Sequence, residues 1–484
     1  MDQNNTPLFD RLVKHVDEKN VSFHVPGHKN GAYFFTKGHE HFRHILQLDV
    51  TEITGMDDLH SPVSVIQEAQ LLTADLYRVK ASCFLIGGST VGNLAMIMSS
   101  VRRGDKLLLQ RNCHQSVFHA AELSGAKTVY IEPEVDGATQ LPLGVSLASL
   151  EEAISRHGDA KAIVLTSPTY EGYSQPLHEH VSAAHQAGML ALVDEAHGAH
   201  LLFDDSRWPV SAIRAGADVV VQSAHKMLPA MTMASYLHIN SDKVDEDRLR
   251  HYLKLLQSSS PSYPLMASLD LARAYLAGML AGGAAHLTAQ IKQLREQVGN
   301  GKAWTLSPES LGNYVQDPLK LAFLSNSRRG MTQEWQRRME GLQAYPELVS
   351  PHHLLLTLPL TNKSLPLEGW STIIREALEV DCSNQGEQPG LTAVRQQRDK
   401  LSEPVMTISA VDAAQKERVD WKASPGRIAA ETITPYPPGI PLLVKGERIQ
   451  EHHIEELVLL VENNFKFQTG DAWMNEGISV VKNR

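Results

Sequence analysis

Cysteine is scarce in this chain: Cys83, Cys113 and Cys382 are the only three among 484 residues. Three thiols cannot build a disulfide framework, and none form a CxxC pair that would suggest a structural metal site. Such usage fits a reducing compartment, so a cytoplasmic protein is expected. Long hydrophobic runs are also missing. Nothing approaches about 18 consecutive apolar residues, which excludes a helical membrane span. The polar start, Met1-Asp2-Gln3-Asn4-Asn5-Thr6-Pro7, lacks the pattern of a secretory leader. There is no excess of positive charge. With 45 Lys+Arg against 55 Asp+Glu, the formal net charge is −10, which argues against nucleic acid or an anionic membrane as a partner. Neither GxGxxG nor GxxxxGK[ST] occurs, so the two best-known glycine-rich phosphate loops are absent. Internal repeats and low-complexity tracts are lacking too.

What is present is an ordinary globular composition, 42% hydrophobic and 21% charged, on a chain long enough for two or three domains. Residues 1–75 read as an irregular N-terminal segment with one helix over Val65–Tyr77. Between Ala81 and Ile239 short apolar runs alternate with helical patterns. The runs are Ser82–Ile86, Lys106–Gln110, Thr128–Glu132, Ala162–Ser167, Met189–Val193, Val219–Gln222 and Ser235–Ile239. That alternation predicts an α/β domain over 76–299 with a mainly parallel sheet. Ligands in such sheets bind outside the carboxyl ends of the strands. From Asp245 to Val298 the pattern is helical, interrupted by a Ser/Pro breaker at Ser258–Pro264. A smaller α+β domain is expected over 300–484, with a variable polar insert near 381–403.

Lysine is rarely buried without a partner or a task, and Lys226 stands just past the apolar run Val219–Gln222, within Ser223-Ala224-His225-Lys226. Asp194 ends another run and opens Asp194-Glu195-Ala196-His197-Gly198-Ala199-His200. An acid and a lysine at two strand ends suit pyridoxal phosphate (PLP). A lysine holds the aldehyde carbon as a Schiff base, and an aspartate holds the proton of the pyridine nitrogen. Gly87-Gly88-Ser89-Thr90 follows the run Ser82–Ile86 and opens a helix, a place where amides and hydroxyls can receive a phosphate. Ser223 can donate to the same phosphate. A positive neighbour such as His225 and partial desolvation would favour the free amine of Lys226. His114, in Arg111–Ser116, can stack on an aromatic ring or move protons. A metal site at Asp194, His197 and His200 is the competing reading, but its spacing is poor and it leaves Lys226 unexplained.

With these residues in order, the chain resembles the Orn/Lys/Arg decarboxylases of the aspartate-aminotransferase-like PLP fold (fold type I). It is most similar to the short bacterial branch that lacks an N-terminal wing domain. The motifs are HVPGHK (24–29), MDDLHSP (56–62), GGST (87–90), RNCHQS (111–116), SPTYEGY (167–173), DEAHGAH (194–200), SAHK (223–226) and YPPGIPLL (436–443). The resemblance implies that Lys226 is the Schiff-base lysine, that Asp194 binds the pyridine nitrogen and that His114 stacks on the ring. Ala196 would touch the other face. Ser89, Thr90, Ser223 and His225 would hold the phosphate, with His197 also at the cofactor. It further implies a homodimer, or a higher oligomer of dimers, with the Ser258–Tyr263 loop contributing to the partner's site. Gln115 and Met233 depart from the family pattern, where lysine and glutamine are common.

The implied reaction is α-decarboxylation of a basic amino acid, with arginine to agmatine in polyamine biosynthesis as the first reading. Lysine or ornithine is the alternative substrate. Transamination or aldol cleavage on the same fold, and a non-enzymatic relative, are competing readings. A distal substrate cation calls for a carboxylate. Glu431 is the first candidate, followed by Asp57, Asp58 and Glu171.

Overall fold

The computed structural model describes residues 1–326, 331–380, 399–436, 438–468 and 470–482. Most of the expected insert at 381–403, and Cys382 with it, lies outside the described residues. The chain divides into two compact units interleaved in sequence. One comprises 1–100, 190–204 and 210–283; the other comprises 101–189, 205–209 and 284–484. The strands up to residue 239 are β1 (Ala81–Leu85), β2 (Lys106–Gln110), β3 (Lys127–Ile131), β4 (Ala162–Thr166), β5 (Tyr173–Ser174), β6 (Leu190–Asp194), β7 (Val219–Gln222) and β8 (Ser235–Ile239).

In the first unit β6 and β7 run parallel, with Val193 opposite Val220. Strand β8 pairs antiparallel with both β7 and β1. Val193, Val219, Val220 and Val221 are fully buried, as continuous apolar strands covered on both faces must be. Helix α4 (Gly88–Ser100) lies on this sheet. Gly92 explains how closely it approaches: a Cβ there would sit 2.7 Å from Leu85 Cδ1 and from Val221 Cγ1. No larger residue fits without moving the helix off the strands.

The N-terminal segment is more ordered than its sequence suggests. It contains α1 (Pro7–Asp17), α2 (Thr36–Leu48) and α3 (Val65–Tyr77). In α1 the buried stripe is Leu8, Leu12 and His15, so a histidine takes the place of a third apolar residue. In α2 only Leu46 is buried, and Phe42 and Ile45, at helical spacing with it, are exposed. Helix α3 is capped from a distance. Asp57 Oδ2 accepts from the amides of Ser64 (2.8 Å), Ile66 (3.0 Å) and Gln67 (3.2 Å), and its Oδ1 accepts from Val63 (2.8 Å). The serine breaker separates two helices, Glu246–Leu256 and Tyr263–Gly282.

In the second unit β2 lies between β3 and β4, all parallel, and Leu401–Ser402 adds an antiparallel edge to β3. A separate antiparallel sheet is built from Trp304–Leu306, Lys320–Ser325, Leu348–Val349 and His353–Thr357. The α/β class with parallel pairing is therefore as expected. No helix among the described residues is long and apolar enough to cross a membrane.

Candidate active site

Helix α4 organises the first unit's site. Ser89, in its first turn, is 9% exposed, and its Oγ lies 2.7 Å from Ser223 Oγ at the end of β7. Asn93, one turn later on the same face, donates from Nδ2 to Asp194 Oδ2 at 2.8 Å. The other oxygen, Asp194 Oδ1, accepts from the Ala196 amide at 3.1 Å. Residues four apart on a helix lie about 6 Å apart along its axis. One helix face thus sets the spacing between a hydroxyl pair near its N-terminus and a buried carboxylate. Asn93 was missed from the sequence; its only signal is one amide on an otherwise apolar, buried helix face.

Lys226 sits on the short turn Ala224–Met227, with Nζ 3.0 Å from His197 Nε2. The sequence suggested partial desolvation of this lysine. Lys226 falls among the exposed residues, while its contact with His197 is part-buried: the turn carries the amine past the end of β7 rather than into the sheet. His225 is more enclosed. Its Nδ1 is 3.1 Å from the Ala234 carbonyl, an acceptor only, so Nδ1 carries hydrogen. Burial holds this imidazole below its usual pKa, against that hydrogen bond and together with the nearby Lys226 charge. Its Nε2 can therefore donate to a phosphate only in the doubly protonated form. Thr90 is exposed in the first turn of α4, and Ala196 is half-buried.

Beneath these groups lies a buried polar layer. Glu195 accepts from Ser211 Oγ (3.0 Å), the Ala212 amide (2.6 Å) and Gln222 Nε2 (2.7 Å). Full burial raises its carboxyl to about 7 against those three donors. Gln222 Oε1 is 3.1 Å from His238 Nε2, and His238 Nδ1 is 2.8 Å from Ser82 Oγ. Burial keeps His238 neutral, with its pKa lowered to about 3. The network ties the carboxyl ends of β6 and β7 together, which holds Asp194 and Ser223 in register.

This donor set fits PLP. Hydroxyls and helix-terminal amides suit a phosphate, a buried carboxylate suits a protonated pyridine, and an exposed amine suits an aldehyde. Among the expected residues, the first unit holds Ser89, Thr90, Asp194, Ala196, His197, Ser223, His225 and Lys226. His114 and Glu431 belong to the second unit.

His114 caps the helix Gln115–Ser124 with its own ring: Nδ1 accepts from the Ser116 amide at 3.2 Å. That bond assigns the neutral ring's proton to Nε2. Glu431 is half-buried, and its Oε1 accepts from the Ser479 amide at 2.6 Å. One oxygen is thus already used by the closing strand of the chain. Of the lesser candidates, Asp57 is committed to capping α3. Asp58 Oδ1 accepts from the His60 amide at 2.8 Å. Glu171 is 4% exposed and lies 3.3 Å from His353.

Comparison with known proteins agrees with this chemistry. A family model described as Orn/Lys/Arg decarboxylase, major domain, matches residues 6–359, and the corresponding C-terminal domain matches 391–467. An uncharacterized Bacillus subtilis (strain 168) protein, YaaO, is 44% identical over 94% of both chains. An arginine decarboxylase of the same organism is 33% identical over 100% of this chain and 99% of its own. The crystal structure of the Francisella novicida lysine decarboxylase LdcF superposes with a TM-score of 0.82 at 18% identity, covering 99% of this chain and 81% of that one. At that identity the likeness shows the fold.

Proposed function

The chain belongs to the Orn/Lys/Arg decarboxylase family and is a PLP-dependent amino-acid decarboxylase, and from that premise we propose that it converts arginine to agmatine. The observation that carries the substrate assignment is the full-length match to an arginine decarboxylase at 33% identity. The chemistry of arginine agrees with it. A guanidinium stays charged at any working pH and offers a planar fork to a carboxylate, whereas the lysine ammonium is a point charge. Glu431 is the proposed partner of that cation. To grip it with both oxygens, Glu431 must give up the bond from the Ser479 amide.

Bound PLP supplies the electron sink for the pair left at Cα when carbon dioxide departs. In the proposed arrangement Lys226 would hold the cofactor's aldehyde carbon through its amine. Ser89, Thr90, Ser223 and His225 bind the phosphate. Asp194, its two oxygens oriented by Asn93 and the Ala196 amide, keeps a proton on the pyridine nitrogen. His197 orients the Lys226 amine. By the family resemblance, His114 would stack on the cofactor's ring and Ala196 would contact it. His114 and Lys226 are the candidates to return a proton to Cα.

A cytoplasmic homodimer acting in polyamine biosynthesis completes the proposal. The first unit presents a run of exposed apolar side chains suited to a second copy of the chain. Phe23 is 92% exposed, and Val21, Tyr33, Phe35 and Val63 are each more than 70% exposed. Comparing kcat/KM for arginine, lysine and ornithine, with the amine product identified, tests the substrate. Arginine is expected to lead, with agmatine as product. A preference for lysine with cadaverine as product would overturn the arginine assignment and leave the PLP assignment standing.

A further inference from the structure

Arg111 follows β2 by one residue and is 6% exposed, yet its guanidinium is almost fully used. Nε donates to Glu447 Oε1 at 3.1 Å and Nη2 to Glu447 Oε2 at 3.0 Å, a two-pronged fork. Nη1 donates to the Pro441 carbonyl at 2.6 Å and Nη2 to the Leu442 carbonyl at 3.0 Å. Its central carbon lies 5.5 Å from the ring centroids of both Phe118 and Tyr130. Glu447 in turn accepts the Val444 amide at 2.8 Å. An arginine so held is pre-organised and not replaceable by lysine.

The segment clasped in this way runs beside His114. The Gln115 amide donates to the Gly439 carbonyl at 2.9 Å. Gly439 has φ +88°, and a Cβ on it would lie 3.2 Å from both Cδ2 and Nε2 of His114. The imidazole is thus bounded on two sides: Nδ1 is bonded to the start of its own helix, and the Cδ2–Nε2 edge lies so near Gly439 that a Cβ there would crowd it.

We propose that the Arg111–Glu447 pair is a latch that positions the His114 imidazole by holding the segment around Gly439 against its Nε2 edge. Arg111 and Glu447 are positioning residues and act through His114. The inference rests on the functional reading above only for the consequence in turnover. The geometry around His114 lies within one unit and stands by itself.

Two variants test it. Gly439→Ala keeps both latch residues but adds a Cβ that crowds the ring and strains a backbone held at φ +88°. In the PLP-loaded enzyme it should lower kcat about tenfold with KM within about twofold, the signature of a misplaced group that does not contribute to substrate binding. In a His114→Ala background, where no ring is left to crowd, its further effect should fall well below additive. Glu447→Gln puts an amide where the carboxylate accepted three donors, two of them from Arg111, and loosens the latch. The rate at which diethyl pyrocarbonate modifies His114, followed by peptide mass spectrometry, should then rise severalfold. Additive losses in the double variant, or unchanged labelling of His114 in folded Glu447→Gln, would overturn the latch. If the wild-type chain released no carbon dioxide from any amino acid, the functional reading would fail, and the labelling would still decide the latch.

Discussion

Asp194 is the residue whose surroundings say most about its role. It is 3% exposed, has no cationic side chain among its recorded hydrogen-bond partners, and is held by one amide group on each oxygen. An ionised carboxylate kept in such a place needs a positive partner, and a protonated pyridine is one. Asp194→Asn tests this cleanly, because an asparagine can still accept from the Ala196 amide, and Asn93 can rotate its own amide to match. The expected result is a folded protein with unchanged far-ultraviolet circular dichroism and a kcat lower by on the order of a hundredfold or more, the loss typical of a removed electrostatic group. Normal turnover would take Asp194 out of the reaction. The positions of Lys226 and Asp194 near strand ends were legible in the sequence because a charged residue at or shortly past the end of an apolar run stands out. Asn93 was not, because its significance depends on which strand end faces α4, and no spacing along the chain encodes that. The exposure of Lys226 was also hidden, since it depends on the path of a four-residue turn.

Secondary elements were legible wherever hydrophobicity ran unbroken. Strands β2, β7 and β8 have the boundaries read from their apolar runs, β1, β3 and β6 are shifted by one residue at both ends, and β4 ends one residue earlier. The N-terminal helices α1 and α2 were missed although each carries apolar residues at helical spacing, Leu8, Leu12 and Val16 in one and Phe42, Ile45 and Leu46 in the other. The serine breaker before Tyr263 was clear from composition. Its structural tie was not: the Ser258 carbonyl lies 2.8 Å from His60 Nε2, which joins the breaker to the MDDLHSP loop. If this loop serves the partner's site in a homodimer, an inactive Ser259→Trp variant and inactive Lys226→Ala should restore part of the activity when their subunits are mixed. Kinetics after exchange confirmed by mass spectrometry would show it. No recovery would assign the loop to its own subunit.

At the scale of the whole molecule, a linear division at about residue 300 follows the change in pattern along the chain, whereas the compact units interleave. Residues 190–204 and 210–283 join the N-terminal hundred, and 101–189 join the C-terminal part. Sequence periodicity reports contiguous elements. It cannot report which distant segments pack together, so this interleaving was beyond it. The consequence for function is that one unit gathers Ser89, Asn93, Asp194, Ser223 and Lys226 from three separated stretches, and this grouping underlies the assignment of the cofactor residues. The most direct test of that assignment is borohydride reduction of the PLP-loaded protein followed by peptide mapping. The account predicts a single pyridoxyl mass, on the peptide containing Lys226, and its loss in Lys226→Ala. A pyridoxyl mass on another lysine, or one that persists in Lys226→Ala, would contradict it.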